Sequence, residues 1–271
     1  MIIVNLTGGL GNQMFQYAFG KTIATKNNTS LKTYFTTALF NTQREYELDV
    51  FNISASLATK KDLQKLGVIQ NRVINRALYL LDERYGIQLN RHIVTQRYPY
   101  DYNPEYLSIE DDSYIQGYFS DERYFKVIEN IIRKEFIPKK ELDERNKKIL
   151  KKIKASQSVS IHVRRTDYIT NKRNIPQFIG LDYYIDSIKK INSKVSNPVF
   201  FVFSDDISWC KENLTDLLNN VHFVNHNKGK NAYKDILLMS ECKHNIIANS
   251  TFSWWGGWLN KNKNKICIKP S

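Results

Sequence analysis

The sequence is short of cysteine, of long apolar runs and of the spacings that mark a metal or dinucleotide site. It has three cysteines in 271 residues, Cys210, Cys242 and Cys267. The number is odd and no CxxC pair occurs, which excludes a disulfide framework and a cysteine-held zinc and points to a reducing compartment. The N-terminal stretch MIIVNLTGGLGN has no basic leader, and its apolar run is far too short for a signal peptide or a spanning helix, so nothing in it exports or anchors the chain. Adjacent acids stand at 111–112 and 205–206, but no DxD triplet of the kind that holds a metal in many nucleotide-sugar enzymes is present. The turn GGLGNQ at 8–13 lacks the third glycine of the dinucleotide fingerprint, since Met14 stands there, and GKT at 20–22 has Phe15 where a phosphate loop needs glycine. No fixed-period repeat or low-complexity tract occurs.

What is present is enough for a substantial core. Hydrophobic residues make up 42% and aromatics 13%, which suits one large domain or two of ordinary size. Forty basic against twenty-seven acidic residues give a net charge of +13. That surplus favours an anionic partner: nucleic acid, an acidic membrane surface or a phosphorylated small molecule. Tyrosines interleave with it, as in YPYDY at 98–102, but no nucleic-acid-binding motif supports the first class and the basic residues are spread rather than striped.

Short apolar strands alternate with longer helices. A buried strand at 2–6, the glycine turn at 7–13 and a helix at 14–26 make one βα unit. The middle, 34–104, is less regular, with a helical stretch around 60–85. A strand at 114–119 and a helix at 121–135 follow, with Ser120 or Asp121 as N-cap. The second half repeats the pattern more cleanly: strand 158–164, helix 181–194, strand 199–204, helix 207–219, strand 221–224, helix 231–243, strand 245–249 and strand 266–268. Helices of this length between strands imply parallel sheets with right-handed crossovers. The reading is α/β, with two Rossmann-like doubly wound domains facing a cleft and divided at 154/155, after the charged helix that begins near 139.

Ligands of open parallel sheets bind beyond the carboxyl ends of the strands, and four polar groups fall there: GGLGNQ, RRTDY at 164–168, SDD at 204–206 and NSTFS at 249–253. Each also has a structural reading. Arg164 and Arg165 can pair with carboxylates such as Asp167, or grip a phosphate bidentately. Ser204 can cap the following helix, which leaves a carboxylate over to accept from guanine. NSTFS can be a helix start only, yet exposed N–H groups there bind phosphate. His162 has the reading of a satisfied core histidine. The run Trp254, Trp255, Trp258 reads as helix packing, with a sugar-stacking platform as the alternative.

Taken together, GGLGNQMFQYAFG at 8–20, HVRRTDY at 162–168, FSDD at 203–206 and NSTFSWWGGWLN at 249–260 resemble the bacterial α-1,2-fucosyltransferases, over nearly the whole chain. The resemblance implies a GT-B glycosyltransferase that uses GDP-fucose, inverts the anomeric centre and fucosylates the 2-hydroxyl of a terminal galactose. It implies a 1–154 acceptor-side domain and a 155–271 GDP-fucose-binding domain. Carried over by position, Arg165 with Arg164 holds the GDP phosphates, with Asp167 in the same motif. His162 and one of Asp205 and Asp206 contact the guanosine. Asn249, Ser250, Thr251, Phe252 and Ser253 line the phosphate side. Gly9, Gly11, Asn12 and Gln13 form the facing turn, with Asn12 and Gln13 toward the fucose or acceptor and Asn12 among the catalytic residues.

No metal and no cofactor is expected, since arginine can take the metal's place. The base is open between Asp121, Glu122, His162 and none. The expected partners are GDP-fucose and a galactose-terminated glycan, lipid-linked in one reading, with no nucleic acid. The expected location is cytoplasmic, with the basic surplus placing it at the inner membrane face or serving as a plain solvated surface. Another GDP-sugar transferase and an inactive glycan-binding relative are the alternatives. Two departures are GG at 256–257, where GA is usual, and an end at KICIKPS, earlier than the family pattern, which raises the expectation of a shortened tail.

Overall fold

The computed structural model describes residues 1–35, 45–69, 74, 77, 80–81, 84–85, 90–98, 101–165 and 179–270. The chain divides into two compact units, Met1–Lys139 and Lys140–Ser271. The first holds parallel strands β1 (Ile2–Leu6), β2 (Leu31–Phe35), β3 (Ser56–Leu57), β4 (Ile93–Thr95) and β5 (Ser113–Gln116), in the order β3-β2-β1-β5-β4. The second holds β6 (Gln157–Val163), β7 (Pro198–Ser204), β8 (Val221–Val224), β9 (His244–Ile246) and β10 (Cys267–Ile268), in the order β10-β9-β6-β7-β8. All the pairings are parallel. In each sheet the first strand is central and the order reverses beside it, at β1/β5 and at β6/β9. These are the two crevice positions of an open α/β sheet.

Burial explains the central strands. Every residue of IIVNL in β1 is buried, and six of the seven in β6 are, as expected for strands covered on both faces. Helix α1 (Leu10–Lys26) lies so close to the first sheet that a Cβ on Gly20 would meet Val4 Cβ at 3.0 Å. In the second unit, Val159, Ile161, Phe200 and Val202 pack with Ile188 and Ile191 of α5 (Leu181–Asn192) in one cluster.

Several elements differ from the sequence reading for local reasons. Helix α1 begins at Leu10 rather than 14, because Gly8 (φ 76°) turns the chain abruptly and Gly9 is already the N-cap. The strand expected at 114–119 stops at Gln116, since Gly117 (φ 156°) and Phe119 (φ 47°) leave the extended region. Gln96 Oε1 takes the N–H groups of Tyr118 and Phe119 there, both at 2.8 Å. The helix expected at 121–135 is two 3₁₀ turns, Glu122–Tyr124 and Lys126–Ile128, followed by α3 (Glu129–Glu135). Of the helical stretch at 60–85, α2 (Lys60–Lys65) is described, started by a Thr59/Asp62 capping box.

The boundary read at 154/155 falls instead at 139/140. Helix α4 (Glu144–Lys154) goes with the second unit because its one buried polar residue, Asn146, exchanges amide bonds with Asn227 at 2.9 and 2.8 Å. Lys234 also reaches its N-cap Asp143 at 2.7 Å.

The remaining helices are α6 (Ile207–Leu214), α7 (Tyr233–Glu241) and α8 (Thr251–Leu259). Gly256 and Gly257 are both on α8 but are not equivalent. A Cβ on Gly256 would stand 2.8 Å from Met239 Cβ, close to the α7 backbone, whereas one on Gly257 would meet Cys267 Sγ at 3.0 Å. Gly256→Ala is therefore expected to cost about 1–3 kcal/mol through overpacking. Gly257→Ala should be near neutral, as helix propensity offsets a small sulfur shift. Urea unfolding of the two variants checks this, and equal losses would contradict it.

Candidate active site

The carboxyl ends of β6, β7 and β9 carry the residues expected to act together. Arg165 N–H donates to Asp205 Oδ1 at 3.0 Å, and Arg164 Nη1 stands 3.3 Å from Asp205 Oδ2. Arg165 Nε reaches Asp206 Oδ2 at 3.4 Å, and its guanidinium lies 4.0 Å from the centroid of the Trp209 ring. Two arginines from the end of β6 thus meet two carboxylates from the end of β7. The helix after β7 is capped by Asp206, which accepts from Trp209 N at 3.1 Å, while Ser204 Oγ accepts from Asp206 N at 2.9 Å. Capping therefore falls to the second aspartate rather than to Ser204. Asp167 lies outside the described residues.

His162, on β6, is 5% exposed, and its ring centroid lies 5.5 Å from that of Phe252 in the first turn of α8. This contact joins β6 to the segment after β9. Burial, then the charge of Arg164, drives the His162 pKa down to about 3 against the opposing pull of Asp205. The ring is neutral at physiological pH, and its buried Nδ1 has no hydrogen-bond partner among the described residues.

Ser250 is the N-cap of α8, but its side chain makes no cap bond. The Ser250 side chain therefore does not compete with an anion for the first-turn N–H groups. Thr251 is half-buried and Asn249 exposed at the same turn. Ser253 has a different part: fully buried, its Oγ accepts from Ala248 N at 3.2 Å and donates back to the turn. Trp255 and Trp258 are buried and edge-on to each other at 5.2 Å, the packing role that the sequence allowed, while Trp254 is half-buried and stacked on Trp258 at 6.1 Å.

Asp235, in the first turn of α7, escaped the sequence reading. Burial raises its pKa to about 7, with the bond from Asn227 Nδ2 at 2.7 Å opposing. Helix α7 leaves β8 at the same edge of the sheet. No motif marks this residue, because a lone aspartate in a first turn reads as a dipole partner.

In the first unit the glycine turn is built as read, but its residues divide. Gly9 caps α1 and Gly11 is buried in its first turn. Asn12 is half-buried, its Nδ2 only 2.6 Å from where a Cβ on Gly8 would stand. Gln13 is fully buried: Nε2 donates to Gly8 O at 3.0 Å and Glu45 O at 2.8 Å, and Oε1 accepts from Glu47 N at 2.9 Å. Its amide staples a loop and is not presented to a sugar. Asp121 has both oxygens on Arg123, at 2.9 and 2.6 Å, which makes it a poor base and leaves Glu122 as the exposed carboxylate of the pair. Among the described residues no group of three or more His, Cys, Asp or Glu is gathered as metal ligands would be. Nor is any described helix long and apolar enough to cross a membrane.

Residues 1–271 match the family described as Glycosyl transferase family 11. The whole chain is 34% identical to an alpha-1,2-colitosyltransferase of Escherichia coli, over 91% of that protein. It is also 34% identical to the O-antigen biosynthesis glycosyltransferase WbnK of Escherichia coli, with 98% of this chain and 92% of that one aligned. Among solved structures it superposes on the NodZ alpha-1,6-fucosyltransferase of Bradyrhizobium, soaked with GDP-fucose, with a TM-score of 0.56 at 13% identity, over 95% of this chain and 91% of that one. That likeness carries the fold, two Rossmann-like units of the GT-B type.

The two shifted groups give opposite pH signatures. For His162, the unfolded chain takes up a proton near 6.5 that the fold refuses until about 3, so stability falls as pH drops through that window. For Asp235, the fold holds a proton up to about 7 that the unfolded chain loses near 3.8, so its contribution is complete below 3.8 and lost as pH rises through 7. Asp235→Asn should raise unfolding free energy by roughly 1–2 kcal/mol at pH 8, after allowance for partial exposure, and leave it unchanged at pH 3.5. Urea titrations at both pH values decide; an equal change at both contradicts the assignment.

Proposed function

The chain belongs to glycosyltransferase family 11, and from that premise we propose that it is an α-1,2-fucosyltransferase. The reaction moves L-fucose from GDP-β-L-fucose to the 2-hydroxyl of a terminal β-galactoside on an oligosaccharide or surface polysaccharide, with inversion and without a metal. The observation that carries this is the pair Arg164 and Arg165 at the crevice end of β6, beside the N-terminus of α8, whose N-cap Ser250 makes no side-chain cap bond. Departure of GDP builds negative charge on the β-phosphate, and preorganised cations and N–H groups stabilise it most where they are already in place. Guanidinium forks fit phosphate oxygens bidentately. The carboxylates of Asp205 and Asp206 hold those forks in position, at 3.3 Å from Arg164 Nη1 and 3.4 Å from Arg165 Nε.

The neutral His162, with its orphaned Nδ1, faces Phe252 and offers the guanine a polar atom on an aromatic wall. One of Asp205 and Asp206 offers an acceptor for the donor edge of guanine. The basic surplus of +13 suits work on a lipid-linked acceptor at an anionic membrane face. A second reading concerns the donor sugar alone. The colitosyltransferase likeness favours GDP-colitose, a deoxy relative of GDP-fucose.

GDP release from GDP-fucose, with and without lactose and in EDTA, tests the proposal. Wild type should show acceptor-dependent release in EDTA, and Arg164→Ala or Arg165→Ala should reduce it about 10²–10³-fold, the loss typical of a removed charge stabiliser. Restoration of an inactive EDTA-treated enzyme by Mg²⁺ or Mn²⁺ would overturn the metal-free mechanism. Turnover of GDP-colitose but not GDP-fucose selects the second reading.

A further inference from the structure

The first sheet carries a set of polar groups that the donor reading leaves unused. Its strands pair in rows. Lys32, Ile3, Tyr114 and Ile93 form one row, through Ile3 with Lys32, Ile3 with Tyr114 and Ile93 with Tyr114, and Lys32 is paired to Asp62 at 2.6 Å. Ile3 and Tyr114 are buried against Leu63, Leu66 and Val68, with Ile93 packed alongside. Two residues further along each strand, where side chains return to the same face, the row becomes Tyr34, Asn5, Gln116 and Thr95. Asn5 pairs with Tyr34, Gln116 pairs with Thr95, and Asn5 and Gln116 follow the paired Val4 and Ile115. Helix α1 covers the opposite face, where Gly20 meets Val4 and Leu31.

On β1, β5 and β4 this face thus changes from apolar to uncharged polar in one step, beside the β1/β5 position where the strand order reverses. Asn5 is 1% exposed, and its Oδ1 has no hydrogen-bond partner among the described residues. Thr7, two residues on, is 4% exposed, and its Oγ1 has none among them either. Gln116 Nε2 donates to Thr95 Oγ1 at 2.7 Å. Buried amides and hydroxyls without partners cost stability that apolar residues of the same shape would not. Their place at a ligand crevice gives them a use.

We propose that this row is the acceptor subsite, and that it takes a neutral, hydroxyl-rich saccharide. Asn5, Thr7 and Gln116 exchange hydrogen bonds with sugar hydroxyls, and the half-buried Tyr34 ring packs on the C–H face of the sugar. The row contains no charged side chain to pair with an anionic sugar. This subsite rests on the glycosyltransferase reading, and it lies wholly in the first unit, apart from the donor residues.

Thr7→Val and Asn5→Leu keep the side-chain size and remove the unpartnered groups. Each should raise the KM for lactose at least tenfold while leaving GDP affinity within twofold of wild type and the thermal midpoint unchanged or higher. A purely structural role would lower the midpoint and the GDP affinity together, and that result, or an unchanged KM, overturns the proposal. Saturation-transfer NMR of lactose on wild type and Thr7→Val reads the same site without turnover. A lactose signal lost in the variant supports the subsite even if GDP binds neither protein, in which case the donor reading alone fails. Equal lactose signals, or none in wild type, overturn the subsite.

Discussion

The second unit is organised by one electrostatic arrangement: two guanidinium groups at the end of a buried strand, balanced by two carboxylates from the strand beside it. Arg164 is paired with Asp205 and Arg165 with Asp206, and Asp206 is at the same time the cap of α6. The arginines are therefore held without a ligand, and Arg165 is also held flat by Trp209. Such preorganisation lets a polar site stabilise charge during reaction without reorganising at that moment. The neutral histidine next to them follows from the same arrangement, since Arg164 adds to burial in keeping it unprotonated.

Carboxamides do the corresponding structural work in both units. Gln13 and Gln16 tie the glycine turn to distant backbone, Gln16 by accepting from Thr7 N and donating to Gly117 O, both at 2.9 Å. Asn146 and Asn227 tie α4 to the loop after β8, and through Asn227 to Asp235 in the first turn of α7. Each bond is modest, about 0.5–1.5 kcal/mol net, but each group is buried, and losing one partner strands the other. The loops at the two sheet edges are consequently fixed by buried carboxamides, of which Gln13 is one that the motif assigns to a ligand.

That is also where sequence and structure part. The long, buried strands β1, β6 and β7 and the parallel order were legible, because apolar runs between helices of this length admit few topologies. Strands β3 and β4 were not, since two or three residues carry no period. The gathering of Arg164, Arg165, Asp205, Asp206 and His162 with Phe252 follows from their common place at strand ends. Gln13 was misread because its partners lie 32 and 34 residues away. Asp235 was invisible because its perturbation comes from burial. The boundary moved because one buried asparagine, in an otherwise charged helix, decides which unit that helix joins.

The most direct test of this account is a crystal structure with GDP-fucose bound. The account predicts the diphosphate on Arg164, Arg165 and the N-terminus of α8, with the guanine against His162 and Phe252. A nucleotide seated instead on the glycine turn between β1 and α1, with the arginines still closed on Asp205 and Asp206, would contradict it.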